Sequence, residues 1–167
     1  MKLTSQEEYG LRCLLQIARG GEAANLTIPA LSSLEGISRS YVAKLLRILR
    51  RGGYIKSARG QVGGYALARP ANQINVGEAL ALLGGRLYDP DFCEHHVGLE
   101  SICTNVGDCS IRSLWRGVQL VVDHLLSQTT LADLLRSEKE TANWISQVLK
   151  LSGAQIKPLG APLAVGE

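Results

Sequence analysis

The sequence has no apolar run long enough to cross a membrane. A transmembrane helix needs about 18 consecutive apolar residues, and no segment of the 167 residues approaches that length. The N-terminus also lacks the basic segment followed by an apolar stretch that marks a secretion signal. We therefore expect a cytoplasmic protein without a membrane partner.

Cysteine is scarce, and the few cysteines present do not suggest a disulfide framework. The chain has four, and a reducing cytoplasm does not sustain structural disulfides. Metal binding or thiol redox chemistry is therefore the better interpretation of cysteines that cluster. Cys93, Cys103 and Cys109 cluster in one segment, whereas Cys13 lies beside Leu14 on an apolar helix stripe and is interpreted as a small core residue.

Acidic residues are absent from one long window, between Ser38 and Arg69. This window holds eight of the 18 basic residues and none of the 15 acidic ones, so it carries +8 and the rest of the chain −5 within a net charge of +3. A concentrated positive potential of this kind indicates a polyanionic partner. We expect that partner to be double-stranded DNA.

Helical periodicity places the basic window on a helix-turn-helix. A first helix begins at a capping box formed by Thr4 and Glu7. A short second helix runs from Thr27 to a turn at Gly36, and Ser38 is the expected N-cap of a third helix. The third helix has an apolar inner face made by Val42, Leu45, Leu46 and Leu49. A short helix, a glycine turn and a helix with a basic outer face are typical of this motif.

The segment after the third helix predicts a wing. Apolar residues there alternate with a period of two around a glycine-rich tip, from Arg59 to Gly64. We expect the third helix to enter the major groove, and the wing to contact the DNA backbone or minor groove. An ordinary solvated basic helix is the alternative, which the lack of acids over both elements disfavours. The candidate DNA-binding residues are Ser38, Arg39, Ser40, Tyr41, Lys44, Arg47, Arg59 and Gln61.

A long helix is predicted after a loop without recognisable period between Leu87 and Cys109. Long loops in compact domains usually have a function. From Ser110 an apolar stripe continues over several turns, and it is too wide for a small domain to bury alone. We assign this helix to a homodimer interface, and a symmetric dimer would read a roughly palindromic operator with half-sites about 34 Å apart. Thr130 is expected to cap a further short helix.

The fold class is therefore predicted as mainly α, a winged helix-turn-helix with a two-stranded β wing plus a long C-terminal dimerisation helix. Residues 1–83 form the DNA-binding domain in this division, and residues 84–109 the cysteine-containing loop. Residues 110–150 comprise the dimerisation helix and following short helices, and residues 151–167 a flexible tail.

The three loop thiols are soft ligands suited to an iron-sulfur cluster or to zinc. Three ligands are too few for a closed site, so a fourth must come from His95, His96, Glu8 of a neighbouring chain or a small-molecule thiol. No close CxxC pair is present, which disfavours zinc without excluding it. Metal-free thiol redox sensing and inert cysteines also stay open.

Taken together, these residues resemble the winged-helix regulators of the IscR, NsrR and RirA type, which sense iron-sulfur clusters. The resemblance covers roughly residues 1–135. It is carried by the opening Met1-Lys2-Leu3-Thr4, the helix start Ser38-Arg39-Ser40-Tyr41-Val42, the wing run Arg59-Gly60-Gln61-Val62-Gly63-Gly64-Tyr65, the helix start Val76-Gly77-Glu78, and the three-cysteine loop before Leu114-Trp115. It implies a homodimer with one [2Fe-2S] or [4Fe-4S] cluster per subunit, of which [2Fe-2S] is favoured, bound by the loop cysteines and controlling operator affinity.

Two departures from this family concern the ligands. Nine residues separate Cys93 from Cys103, a longer spacing than is usual in relatives. Where IscR-like members have a histidine ligand, this chain has Arg112, which stays protonated and is a poor ligand. NsrR-like members use a carboxylate from the partner's first helix, and Glu8 is in the matching place. The resemblance therefore ranks Glu8 before His95 or His96, although a solvent-facing acid in the first helical turn is an equally ordinary role for Glu8.

The predicted function is a DNA-binding transcriptional repressor controlled by an iron-sulfur cluster that reports iron, redox or cluster status. The alternative is a repressor of the same fold that senses a small metabolite or thiol oxidation without a cluster. Enzymatic use of a loop cysteine is disfavoured, because no general base with an orienting partner is recognisable.

Overall fold

The computed structural model describes residues 3–21, 25–58, 63–86, 88, 91–95, 103, 105 and 107–151. The described residues form a mainly helical fold with one two-stranded antiparallel sheet, which confirms the predicted fold class. The elements are α1 (Ser5–Arg19), α2 (Ile28–Glu35), α3 (Arg39–Arg51), β1 (Ile55–Ala58), β2 (Gly64–Leu67), α4 (Val76–Gly84), α5 (Phe92–His95), α6 (Ser110–Ser127) and α7 (Glu138–Leu151), with 3₁₀ turns at Ala71–Gln73 and Asp133–Leu135.

Side-chain caps fix the starts of the first three helices as predicted. At α1 the Glu7 amide donates to Thr4 Oγ1 at 3.3 Å, and the Glu7 carboxylate accepts the Thr4 amide at 2.8 Å. Ser38 Oγ accepts the Tyr41 amide at the start of α3. The turn between α2 and α3 passes through Gly36, whose φ of +66° is in the left-handed region that glycine adopts without strain.

The core lies between α1, α2, α3 and α4. The apolar face of α3 is fully buried there, and Cys13 is confirmed as a core residue with no solvent exposure. Burying a leucine side chain contributes roughly 1.5 to 3 kcal/mol, so the inner face of α3 accounts for a large part of the core's stability. The residues of this inner face are Val42, Leu45, Leu46 and Leu49.

The wing strands are joined to the segment that leads into α2. Ile55 lies opposite Leu67 in the β1–β2 hairpin. On the other edge of β2, the Leu26 amide donates to the Tyr65 carbonyl at 3.0 Å and the Tyr65 amide donates to the Leu26 carbonyl at 2.8 Å. A Cβ at Gly64 would lie 2.8 Å from the backbone carbon of Asn25, so only glycine permits this approach.

The C-terminal end of α6 is attached to the start of α4. Asn75 caps α4 through its side-chain oxygen, and its Nδ2 donates to the carbonyls of Leu126 and Ser127 at 3.2 and 2.9 Å. The Val76 amide donates to the Thr129 carbonyl at 2.9 Å. One asparagine therefore satisfies the open ends of two helices and holds the end of α6 against the start of α4.

Three local expectations need correction. Thr130 does not cap a helix: its amide and Oγ1 donate to Asp133 at 2.9 and 2.6 Å, because its backbone pairs with Asn75 in an isolated bridge. The following turn, Asp133–Leu135, starts after Ala132 without a side-chain cap.

The second correction concerns the length of α7, and the third concerns the segment between α4 and α6. The helix expected around Trp144 is not short, because α7 has 14 residues and begins with a second capping box from Ser137 and Glu140. The described residues between α4 and α6 include one helical turn, α5, which is too short to give a sequence period. The expected flexible tail, 152–167, lies outside the described residues. Within the described part of the chain, no helix has the length and hydropathy needed to span a bilayer.

Candidate DNA-binding face and cysteine loop

The outer face of α3 is exposed and basic. Arg39, Ser40, Lys44 and Arg47 are exposed, as the sequence predicts, and no acidic residue lies on this helix. Ser38 is also exposed, but its hydroxyl caps α3, so its first role is structural. Arg59 and Gln61, the two wing candidates, lie outside the described residues.

A shallow concavity on this face includes two residues that the sequence analysis did not select. It is formed between α3 and β2, and Arg50 and Tyr65 join the predicted residues there. Arg50 could have been found from its position one helical turn after Arg47. Tyr65 could not have been found in this way, because its position beside α3 depends on how the β1–β2 hairpin packs against the helices. The complete lining is Ser40, Ala43, Lys44, Arg47, Arg50 and Tyr65.

Tyr41 is half-buried and serves the fold as well as the surface. Its ring meets that of Tyr9 edge-on, with centroids 6.3 Å apart, and so helps to dock α3 on α1. The Lys44 ammonium lies 5.9 Å from the Tyr41 ring centroid. The predicted DNA contact of Tyr41 therefore involves a ring whose position is set by packing.

Glu8 is exposed on α1, with a long ion pair of 4.0 Å to Arg12. Arg12 is held mainly by another carboxylate, since its Nε donates at 2.5 Å to Glu35, whose side chain is only 2% exposed. Gln16 donates to the second Glu35 oxygen at 2.8 Å. Glu8 therefore faces solvent in the single subunit.

Burial changes the chemistry of Cys13. Desolvation raises the pKa of its thiol to about 11, with a further upward contribution from the charge of Glu35 and an opposing one from Arg12. At pH 8 only about one thiol in a thousand would be ionised there. The thiolate is the reactive form, so Cys13 is expected to be chemically inert.

Iodoacetamide at pH 8 tests this expectation on reduced, cluster-free protein. We expect rapid modification of Cys93, Cys103 and Cys109, and no modification of Cys13 until the protein is unfolded in guanidinium, as read by mass spectrometry of the intact chain and its peptides. Labelling of Cys13 in the folded protein at the rate of Cys93 would contradict its inert role.

The three loop cysteines are half-exposed free thiols at different structural positions. Cys93 lies in α5, Cys103 is in the loop, and Cys109 is the N-cap of α6, where its sulfur accepts the Arg112 amide at 3.4 Å. The sulfur of Cys109 therefore takes part in the fold, because it caps the first turn of α6.

The chemistry of these donors fits an iron-sulfur cluster, because three accessible thiols outside any disulfide are the ligands such clusters use. Their arrangement within one subunit is not yet a site. No three histidine, cysteine or acidic residues in the described ranges lie close enough together to hold a metal ion. His96 and the side chain of His95 lie outside those ranges. Gathering the ligands would therefore require movement of the loop, as is common where metal binding and folding are coupled.

A helix-turn-helix with a basic third helix, followed by a two-stranded wing, defines the winged-helix class of DNA-binding proteins. Residues 3–137 match the family model of Rrf2, described as iron-dependent transcriptional regulator. The chain belongs to the Rrf2 family of transcriptional regulators.

Individual relatives agree with this membership. The chain is 37% identical to protein rrf2 of Nitratidesulfovibrio vulgaris over 81% of its own length and 88% of that protein. It is 31% identical to the HTH-type transcriptional regulator IscR of Escherichia coli over 93% and 88% of the two chains. The crystal structure of Staphylococcus aureus CymR in an oxidized form resembles it with a TM-score of 0.64 and 27% identity, over 82% of this chain and 98% of that one.

Proposed function

We propose that the protein is a cytoplasmic, homodimeric transcriptional repressor whose affinity for a palindromic operator is controlled by an iron-sulfur cluster. The observation that carries the proposal is the set of three half-exposed free thiols, Cys93, Cys103 and Cys109, in the segment between the DNA-binding domain and α6. Loss or oxidation of one of these thiols would change the conformation of the segment that joins the DNA-binding domain to α6. We keep the same division of the chain, with 1–83 binding DNA, 84–109 sensing and 110–150 dimerising.

The DNA-binding part of the proposal depends on the face of α3. Its basic side chains are exposed and its apolar side chains are buried, so the charge points outward. Arginine can donate two hydrogen bonds to a guanine edge or to a phosphate. Arg59 and Gln61 of the wing would add contacts to the backbone or minor groove.

The dimer is supported by an apolar face on α6. Ile111, Leu114, Trp115 and Val121 are exposed in the single subunit, although they continue the helical stripe predicted from the sequence. Exposed apolar residues in such a stripe mark an interaction surface. A second α6 would cover it and place two copies of α3 against the two halves of an operator.

The cluster is supported by the donor set and by the iron dependence in the description of the matched family. Cys93, Cys103 and Cys109 would hold it, with Glu8 of the partner subunit ahead of His95 or His96 as fourth ligand. We favour [2Fe-2S] over [4Fe-4S]. A bound cluster would supply a redox-sensitive and iron-dependent crosslink between cysteines that are not gathered together in the folded subunit.

Anaerobic purification tests the cluster directly. We expect a brown protein with stoichiometric iron and sulfide, and an operator affinity, measured on a duplex selected from a random pool, that changes when the cluster is removed. Alanine at Cys93, Cys103 or Cys109 should abolish both properties. Cys13→Ala is the matched control and should keep both, because Cys13 is a core residue.

A second candidate function is thiol-based sensing without a metal. The likeness to an oxidized form of CymR favours it, as do thiols that are already free and accessible. In that case the anaerobic protein is colourless, and peroxide alone changes its operator affinity. A colourless protein with an affinity independent of its thiol state would exclude both candidates.

A further inference from the structure

The only buried residue of α6 is polar. All 18 residues of this helix are described, and among them Gln119 alone is buried, whereas several large apolar side chains are exposed. A buried polar side chain destabilises a protein unless its hydrogen bonds are made. The partners of Gln119 therefore show what this position does.

Both polar atoms of Gln119 are used, and one of them holds the cysteine loop. Its Oε1 accepts the Tyr88 backbone amide at 2.7 Å, and its Nε2 donates to Asp123 Oδ1 at 2.8 Å. Asp123 also pairs with Arg86. The start of the segment that follows α4 is thus fixed to α6 at two points, one turn apart on the helix.

Tyr88 extends this connection to a thiol. Its hydroxyl lies 3.5 Å from Cys93 Sγ, and its ring packs on that of Phe92 with centroids 5.0 Å apart. A thiolate or a metal-bound sulfur can only accept, so the hydroxyl is then the donor.

We propose that Gln119 and Tyr88 are positioning residues that connect the sulfur of Cys93 to α6. The route runs from Cys93 Sγ to the Tyr88 hydroxyl, and from the Tyr88 amide to the buried side chain of Gln119. Metal binding or oxidation at the sulfur changes the hydrogen-bond acceptor of the Tyr88 hydroxyl. Because the Tyr88 amide is bonded to Gln119, a resulting shift of Tyr88 acts on α6, the helix that we assign to the dimer interface. This inference depends on the proposed function, in which Cys93 is a sensing residue.

Gln119→Met tests the backbone part of the route. Methionine fills the buried volume but offers no acceptor for Tyr88. In the cluster-free protein we expect the Tyr88 amide to exchange with deuterium about threefold to tenfold faster by NMR, the range that one lost hydrogen bond gives. The ratio between the operator affinities of cluster-loaded and cluster-free protein should fall by a similar factor. Gln128→Met, at the exposed C-cap of α6, is the matched control and should leave both values unchanged.

Tyr88→Phe tests the side-chain part. It keeps the ring on Phe92 and the amide bond to Gln119, so exchange at residue 88 should match wild type. Removing a donor from a cluster sulfur should make the reduction potential more negative and lower the affinity ratio. Unchanged exchange and ratio in Gln119→Met, or equal effects in Gln128→Met, would overturn the inference. A wild type whose affinity ignores the cluster would instead refute the proposed function, while the exchange result would still report on the Gln119 contact.

Discussion

Arg47→Ala is expected to weaken operator binding by about fivefold to a hundredfold. Arg47 is exposed and lines the α3 concavity, where a guanidinium can make two hydrogen bonds to a guanine edge worth roughly 1 to 3 kcal/mol. Fluorescence anisotropy against the selected operator measures the effect. If the contact reads a base, discrimination between operator and random duplex should shrink as affinity falls.

The dependence on salt separates base contacts from phosphate contacts. Removing a phosphate contact reduces the slope of log affinity against log salt by about one, and weakens binding to all sequences equally. Arg136→Ala is a matched control, because Arg136 follows α6 and pairs with Asp133 at 3.0 Å. If Arg47→Ala binds the operator with wild-type affinity, or if Arg136→Ala loses as much affinity, the outer face of α3 does not form the DNA interface.

Leu114→Glu is expected to abolish the dimer at micromolar concentration. Leu114 is 59% exposed in the single subunit, and in the proposed interface a glutamate there would bury an unpaired charge. An uncompensated buried charge costs roughly 3 to 5 kcal/mol, which corresponds to a loss of more than about a hundredfold in association. Sedimentation equilibrium measures this loss, and operator affinity should fall with it, because two linked reading helices bind far more tightly than one.

Leu120→Glu provides the same chemical change on the opposite side of α6. Leu120 is 69% exposed and lies off the apolar stripe, so it should remain in contact with water in the dimer. We expect the Leu120→Glu protein to stay dimeric and to bind DNA as wild type does. Dimers in both variants would show that the subunits associate through another surface.

The helix-turn-helix was predictable because its signals are local. The caps at Thr4 and Ser38 and the apolar stripe of α3 each depend on residues within a few positions of one another, and the structure confirms them. Such features are set by backbone hydrogen bonds and helical period, which do not require knowledge of distant contacts. The exposed basic face of α3, which we propose as the DNA-binding surface, follows from them directly.

The features that the sequence did not reveal depend on distant contacts. Tyr65 reaches the α3 concavity because of the hairpin's return and its pairing with Leu26. Thr130 was misjudged as a cap because its bridge to Asn75 spans more than fifty residues. The role of Gln119 was hidden for the same reason, since a glutamine on an amphipathic helix predicts a solvent contact unless a distant amide needs an acceptor.

The pairing between Leu26 and Tyr65 has a consequence for how a signal can act. It attaches the described strands of the hairpin firmly to the helix-turn-helix, since backbone hydrogen bonds, shared core packing and the close approach at Gly64 all join them. A sensor elsewhere in the chain therefore has little freedom to tilt the hairpin against α3. In the proposed dimer, control of DNA binding would therefore act between the subunits, by changing the distance or angle between two intact helix-turn-helix units. The fit of the two α3 helices to consecutive major grooves would then change with small rotations of the subunits about the axis that relates them.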